Sequence, residues 1–268
     1  MAKENLVFLH GRIQSIPKIY TDSNGDLVKA MFALQVIRRP VRGGKFISNK
    51  LYLDLPIILT RNVDMIRQAC NFEQSDMLDV RGVLSTKEVS KVTICPACQA
   101  RNSIPGTTTY VTPLYMCRRE QHVSDEEEMQ LLKERCEISN MVMVIGTLCR
   151  DPEIYIDDKK HAFAQYQLAV NRRYRIKEDS AETKTDYPWI KTSGDQALKD
   201  TEALKTGSQV YIRGALQTRE VHRKTKCMEC GAEYEWNDTA TEIIPYSTEY
   251  LANCDVPVAK EEGEDATS

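Results

Sequence analysis

The chain repeats itself, and that duplication limits the fold more than any other feature of the sequence. A shift of 132 to 135 residues lays the second half over the first in order and almost without gaps. NLVFLHG (5–11) faces NMVMVIG (140–146), and Pro17, Ile19 and Tyr20 face Pro152, Ile154 and Tyr155. Further on, VRGVLSTKEV (80–89) faces IRGALQTREV (212–221), and the pair Cys95/Cys98 faces Cys227/Cys230. Ordered agreement at so many positions means two copies of one folding unit. With 268 residues, each copy is the size of a small domain with its own core.

Within a copy the apolar pattern has period two, which sends alternate side chains to opposite faces of a strand. Phe32, Leu34 and Val36 alternate with Ala33, Gln35 and Ile37, and Tyr166, Leu168 and Val170 with Gln165, Gln167 and Ala169. Phe32 and Tyr166 therefore read as core, and Tyr20 and Tyr155 as structural. Asn24-Gly25 is a hairpin signal, and 157–160 occupies the matching place in the second copy. Three strands, a helical stretch (62–73 and 196–205) and a further strand pair describe an OB barrel. The predicted fold is mostly β, two tandem OB-fold barrels, each with a Cys-x-x-Cys hairpin, zinc-ribbon-like extension. The domains are expected at 1–122 and 139–254. Between them, 123–138 forms an acidic linker helix with Ser124 as its cap, and 255–268 is an acidic tail with little to bury.

Nine cysteines and the absence of a leader pattern at Met1 to Ile13 suggest a reducing compartment, where thiols bind metal or stay free. The expected location is the cytoplasm, associated with the nucleoid, and no membrane span is expected. Each Cys-x-x-Cys pair supplies half of a tetrahedral structural zinc site. Cys117 and His122 complete the Cys95/Cys98 pair in one arrangement, with Cys136 as a spare. Cys254, or His222, completes the Cys227/Cys230 pair. A third arrangement has one zinc held by both pairs across the two barrels. Cys70 and Cys149 read as small core residues. No phosphate-binding glycine loop, nucleophile elbow or paired-histidine metal motif occurs, so a binding protein is expected rather than an enzyme.

The net charge of −3 hides an uneven distribution. Seven acids against two bases from 120 to 137, and five against one from 255 to 268, leave +6 for the remainder. The second copy groups cations with aromatics: Arg172, Arg173, Tyr174, Arg175 and Lys177, then Trp189 and Lys191. The first has Arg38, Arg39, Arg42, Lys45 and Lys50 with Phe46 and Tyr52. Lys87 and Lys91, and Arg219, Arg223 and Lys224, continue the basic character on the later hairpins. Cations along a groove with flat rings for bases are what single-strand binding requires. Any one of these cations could simply solvate a strand end, and Trp189 could instead be core.

The stretches NMVMVIGTLCRDPEIY (140–155), FAQYQLAVNRRY (163–174) and GSQVYIRGALQTRE (207–220) resemble the bacterial single-stranded DNA-binding protein family. The first copy is similar to a diverged version. The resemblance implies sequence-tolerant binding of single-stranded DNA in replication, recombination or repair, with Trp189 and Tyr174 at stacking positions. Val221 stands at a third such position, and Pro40 and Ile57 stand opposite Tyr174 and Trp189 in the first copy. By analogy with one-barrel members that assemble as four, a chain with two barrels is expected to form a homodimer and to meet replication or repair proteins. Two rival readings are an RNA-binding OB protein and a structural adaptor subunit of a replication or DNA-transfer complex.

Overall fold

The computed structural model describes residues 3–39, 41–42, 45–46, 50–172, 176 and 185–255, with backbone alone at 41–42 and 45–46. Arg173, Tyr174, Arg175, Lys177, Pro40 and the tail 256–268 lie outside the described residues, as do the side chains of Arg42, Lys45 and Phe46.

The first copy runs β1 (Asn5–Ile13), β2 (Lys18–Thr21), β3 (Leu27–Arg38), the short β4 (Val41–Arg42), β5 (Lys45–Phe46) and β6 (Tyr52–Asp54), then β7 (Ile57–Thr60) and α1 (Val63–Ala69). It closes with two long strands, β8 (Met77–Ile94) and β9 (Arg101–Glu120). After the linker helix α2 (Asp125–Glu134), the second copy runs β10 (Asn140–Leu148), β11 (Glu153–Ile156), β12 (Ala162–Asn171), β13 (Thr185–Asp186), β14 (Trp189–Ser193), α3 (Asp195–Ala203), β15 (Gln209–Lys226) and β16 (Glu233–Ala252). The strand preceding each helix, β7 or β14, is additional to the expected three. It closes its barrel by a parallel bridge, Ile58 to Val111 or Ile190 to Ile243. The inward residues fill the cores, Phe32, Leu34, Ile58 and Val80 in one and Tyr166, Leu168, Ile190 and Ile212 in the other.

The two barrels share one sheet because β1 pairs antiparallel with β10, and Val7 lies opposite its own repeat mate Val142. That register makes a local twofold, and the contacts around it come in matched sets. The Thr218 N–H donates to Asp54 Oδ1 at 2.8 Å and the Thr86 N–H to Asp186 Oδ1 at 2.8 Å. In return, the Leu55 N–H donates to Thr218 Oγ1 and the Tyr187 N–H to Thr86 Oγ1. Each barrel thus satisfies a buried carboxylate of the other.

The linker helix packs on the first barrel as its cap and acids direct. Ser124 and Glu127 form a reciprocal capping box. Leu132 is buried with Ile37 and Met77, and Arg12 donates to both Asp125 and Glu128 at 2.7 Å. Cys70 and Cys149 depart from expectation. Both are exposed, Cys70 at the end of α1 and Cys149 just beyond β10, because each falls one residue past the buried positions of its element. Among the described residues no helix is long and apolar enough to cross a membrane.

Candidate nucleic-acid interface and thiol centre

In the second barrel, directly opposed residues on β11, β12 and β14 share one outer face. Tyr155 lies opposite Phe163, Phe163 opposite Ser193, Gln165 opposite Lys191, and Gln167 opposite Trp189. Their neighbours Ala164, Tyr166, Ile190 and Thr192 point into the core. Three rings therefore sit on one solvent-facing surface, with Tyr155 66% exposed and Phe163 and Trp189 half-buried. The Arg150 guanidinium lies 4.6 Å from the Trp189 ring centroid and also pairs with Glu153 at 3.1 Å. Lys191 is half-buried beside Gln165. Trp189 is thus on the surface and not in the core. Tyr155, expected to be structural, and Phe163 and Arg150, not singled out from sequence, belong with it.

The corresponding face of the first barrel is more aliphatic. Tyr20 remains, with Lys29 Nζ 3.7 Å above its ring. Met31, Ala33, Ile57 and Leu59 stand where the second barrel has Gln165, Gln167, Trp189 and Lys191.

Several expected cations are occupied elsewhere. Arg38 and Arg172 are corrected from strand-tracking to structural residues. Both are buried; Arg38 Nε donates to Asp54 at 2.8 Å, and Arg172 donates to Asp186 at 2.6 and 2.9 Å and to Ser85 Oγ at 2.9 Å. Burial pushes the Asp54 carboxyl up against the pull of Arg38, so the guanidinium is committed to a group that needs it. Arg38 also lies 4.9 Å from the Tyr52 ring centroid, which leaves Tyr52 covered on that side. On the hairpins, Arg219 makes two bonds to Glu242, Arg223 pairs with Asp238, Lys91 with Asp238, and Lys224 with Glu235 at 3.4 Å. Lys50 and Lys87 are exposed, and Arg39 is half-buried.

The β8–β9 and β15–β16 hairpins extend past the barrels as two arms whose tips meet. There Cys95, Cys98, Cys227 and Cys230 come together, with all four sulfurs within 4.8 Å of one another. The knuckles match in detail. The Gln99 N–H donates to Cys95 O and the Gly231 N–H to Cys227 O, with positive φ at both donors (61° and 75°). Tyr234 and Trp236 pack beside Cys95 and Cys227, Thr93 Oγ1 bonds the Tyr234 hydroxyl at 2.6 Å, and Asn102 donates to Cys227 Sγ at 3.5 Å. Backbone N–H groups at Cys230 and Glu229 help hold the Cys227 thiol down to about 6. The Ala100 N–H favours the Cys98 thiolate, yet the sulfurs around it push Cys98 up to about 12. Four sulfurs so close resist ionising together unless a cation joins them.

A tetrahedral ion with sulfur ligands at about 2.3 Å requires sulfur–sulfur edges of about 3.8 Å. The edges Cys95–Cys230 and Cys98–Cys227 are 3.7 and 3.6 Å, so the residues fit a thiolate-loving metal. Of the ligand sets considered from sequence, the structure assembles the shared one. Cys117, His122 and Cys254 are set aside as ligands for a geometric reason. Cys117 lies sixteen residues along β9 from Arg101 at the tip, roughly 50 Å at the usual rise of a strand. His122 pairs with Glu73, and the Cys254 thiol donates to Gln209 O at the barrel.

Residues 139–240 match the Single-strand binding protein family. Single-stranded DNA-binding protein 1 of Chlorobaculum tepidum is 30% identical over 112 residues, a region covering 42% of this chain and about 60% of that protein. The single-stranded DNA binding protein of Thermus aquaticus superposes with a TM-score of 0.60 at 15% identity, covering 98% of this chain and 100% of that one. A deletion mutant of that protein superposes with the same score at 16% identity. These structural likenesses establish the fold across both barrels, and the sequence match falls on the barrel that carries the three-ring face. In its second half, the chain is similar to the single-strand binding protein family.

Proposed function

We propose that the protein binds single-stranded DNA with little sequence preference and shields it during replication, recombination or repair, without catalysing a reaction. The observation that carries this reading is the outer face of the second barrel, where Tyr155, Phe163 and Trp189 share one surface with Arg150 and Lys191. Bases stack on rings whatever their sequence, at about 1–3 kcal/mol per base, while the cations follow phosphates. The first barrel keeps one ring, Tyr20, and has Lys29 and Ile57 in place of Phe163 and Trp189, so it offers fewer rings for stacking and contributes less to binding. The test is an anisotropy titration of labelled oligo-dT at two salt concentrations, with duplex and RNA competitors. Tight, salt-sensitive binding that RNA and duplex fail to displace supports the reading. Equal displacement by RNA favours RNA binding, and no binding at low salt rejects a nucleic-acid role.

The arm tips hold one structural zinc ion through Cys95, Cys98, Cys227 and Cys230. All four positions belong to the protein, which suits a structural ion. When bound, the ion supplies charge to four crowded thiolates and ties one barrel's arm to the other's.

The chain assembles as a homodimer through the outer face of the strands around β1 and β10. That face carries Phe8, Tyr115, Ile138 and Met141 around a cleft of about 640 Å³, with Met143 nearby. Apolar surface of this extent favours burial against a second copy. The protein's expected place is the cytoplasm, on the nucleoid.

A further inference from the structure

The two short sulfur–sulfur contacts at the arm tips both run between arms. Cys95 meets Cys230 at 3.7 Å and Cys98 meets Cys227 at 3.6 Å. Each contact also joins unlike partners, since Cys98 and Cys230 are exposed whereas Cys227 and Cys95 are buried. An exposed sulfur beside a protected one is the arrangement in which the first meets an oxidant and the second resolves it. The surroundings hold the sulfurs face to face by contacts that involve no ion: the Thr93–Tyr234 hydroxyl bond, the Met228 N–H on Asn102 Oδ1 at 2.9 Å, and the Lys91–Asp238 ion pair. Closing either contact to the roughly 2.05 Å of a disulfide needs a shift of about 1.6 Å, divided between two hairpin tips.

We infer that the four-thiol centre is an oxidation site at which the arms become covalently joined, Cys98 to Cys227 and Cys230 to Cys95. The inference builds on the metal reading of the same sulfurs. A peroxide is the oxidant. The exposed Cys98 thiol gives up its proton as its sulfur attacks the peroxide, the O–O bond breaks, the sulfur becomes a sulfenic acid, and the hydroxide released takes up that proton to leave as water. The Cys227 thiolate then displaces hydroxide from that sulfur, which forms the S–S bond and releases a second water after protonation. Two electrons pass from the two sulfurs to one peroxide, and the Cys230/Cys95 pair repeats the step with another. Sulfurs joined as disulfides are neutral and no longer hold a dication. The arms therefore stay fastened in both redox states, by an ion when reduced and by two bonds when oxidised.

The experiment treats the full chain, as purified, with hydrogen peroxide. Released zinc is followed with a chromogenic chelator, free thiols are alkylated, and unreduced peptides are mapped by mass spectrometry. Peptides carrying residues 95–98 joined to those carrying 227–230, separable by dithiothreitol, are expected. With Cys98→Ser, the Cys95–Cys230 link alone is expected. Disulfides confined to one knuckle, or sulfinic acids without a cross-arm link, overturn the inference. Cross-arm links in a chain that releases no zinc remove the metal reading and leave the inference standing. Zinc release without such links does the reverse.

Discussion

Arg172 and Arg38 illustrate how a cation beside a basic loop becomes a structural residue. Each is matched to a carboxylate that also accepts an N–H from the opposite barrel, so each ion pair supports both a core and the junction between barrels. Removing one partner strands a buried charge, at a cost of about 3–5 kcal/mol. Arg172→Ala is expected to lose stability on that scale in urea unfolding; a change under about 1 kcal/mol, the range of an exposed pair, contradicts the assignment. Sequence alone showed the cations but not their partners, although Asp54 and Asp186 occupy equivalent places in the two copies. The three-ring face was half legible. Alternation placed Tyr166 inside, and the same alternation puts Phe163 outside, but bringing Tyr155 beside it requires the strand register.

His10 gives a second prediction at this scale. Burial lowers its pKa below the ordinary 6.5, against the hydrogen bond to Asp79 at 2.6 Å. A histidine kept neutral in the fold takes up a proton on unfolding, so its contribution to stability is whole above 6.5 and declines as the pH falls below it. Burial alone would raise Asp79, but hydrogen bonds from His10 and Arg119 hold it below 3.8, so its own loss begins only in stronger acid. The melting temperature is expected to fall between pH 7 and 5, and to fall less in His10→Gln. An identical decline in the variant contradicts the assignment.

The arms are the elements that set this chain apart. Each leaves its barrel at an Arg-Gly pair where the strand register shifts, between Arg81 and Gly82 and between Arg213 and Gly214. A methyl group at Gly214 would lie 2.3 Å from Ile244 O, and one at Gly82 2.4 Å from Thr112 O. Gly214→Ala is therefore expected to cost about 1–3 kcal/mol in thermal or urea unfolding; an unchanged midpoint contradicts a packing role. The tips depend on their thiols. Cys227→Ser is expected to abolish stoichiometric zinc and to expose both tips to limited proteolysis while the barrels resist. Full zinc retention in that variant contradicts the four-thiol site. The cysteine spacing disclosed both half sites in the sequence. Their partners were open because 129 and 135 residues separate sulfurs that touch, and only the lengths and crossing of the arms decide between a site within each barrel and one between them.

For the whole molecule, duplication predicts the two barrels, and the structure adds that they join into one sheet. The register of β1 on β10 turns a sequence repeat into a spatial twofold, and the face left over supports a homodimer. Light scattering is expected to give about twice the chain mass of 30.6 kDa, and Met143→Glu to return it toward one chain; a single-chain mass for the wild type contradicts the dimer. The claim on which the functional reading depends is that bases stack on the face containing Trp189. The chain has two tryptophans, so Trp236→Phe leaves Trp189 as the reporter. Titrating that variant with oligo-dT is expected to quench its fluorescence to saturation, with recovery in high salt as phosphate contacts are released. Strand binding seen by anisotropy with Trp189 emission unchanged would contradict the stacking face.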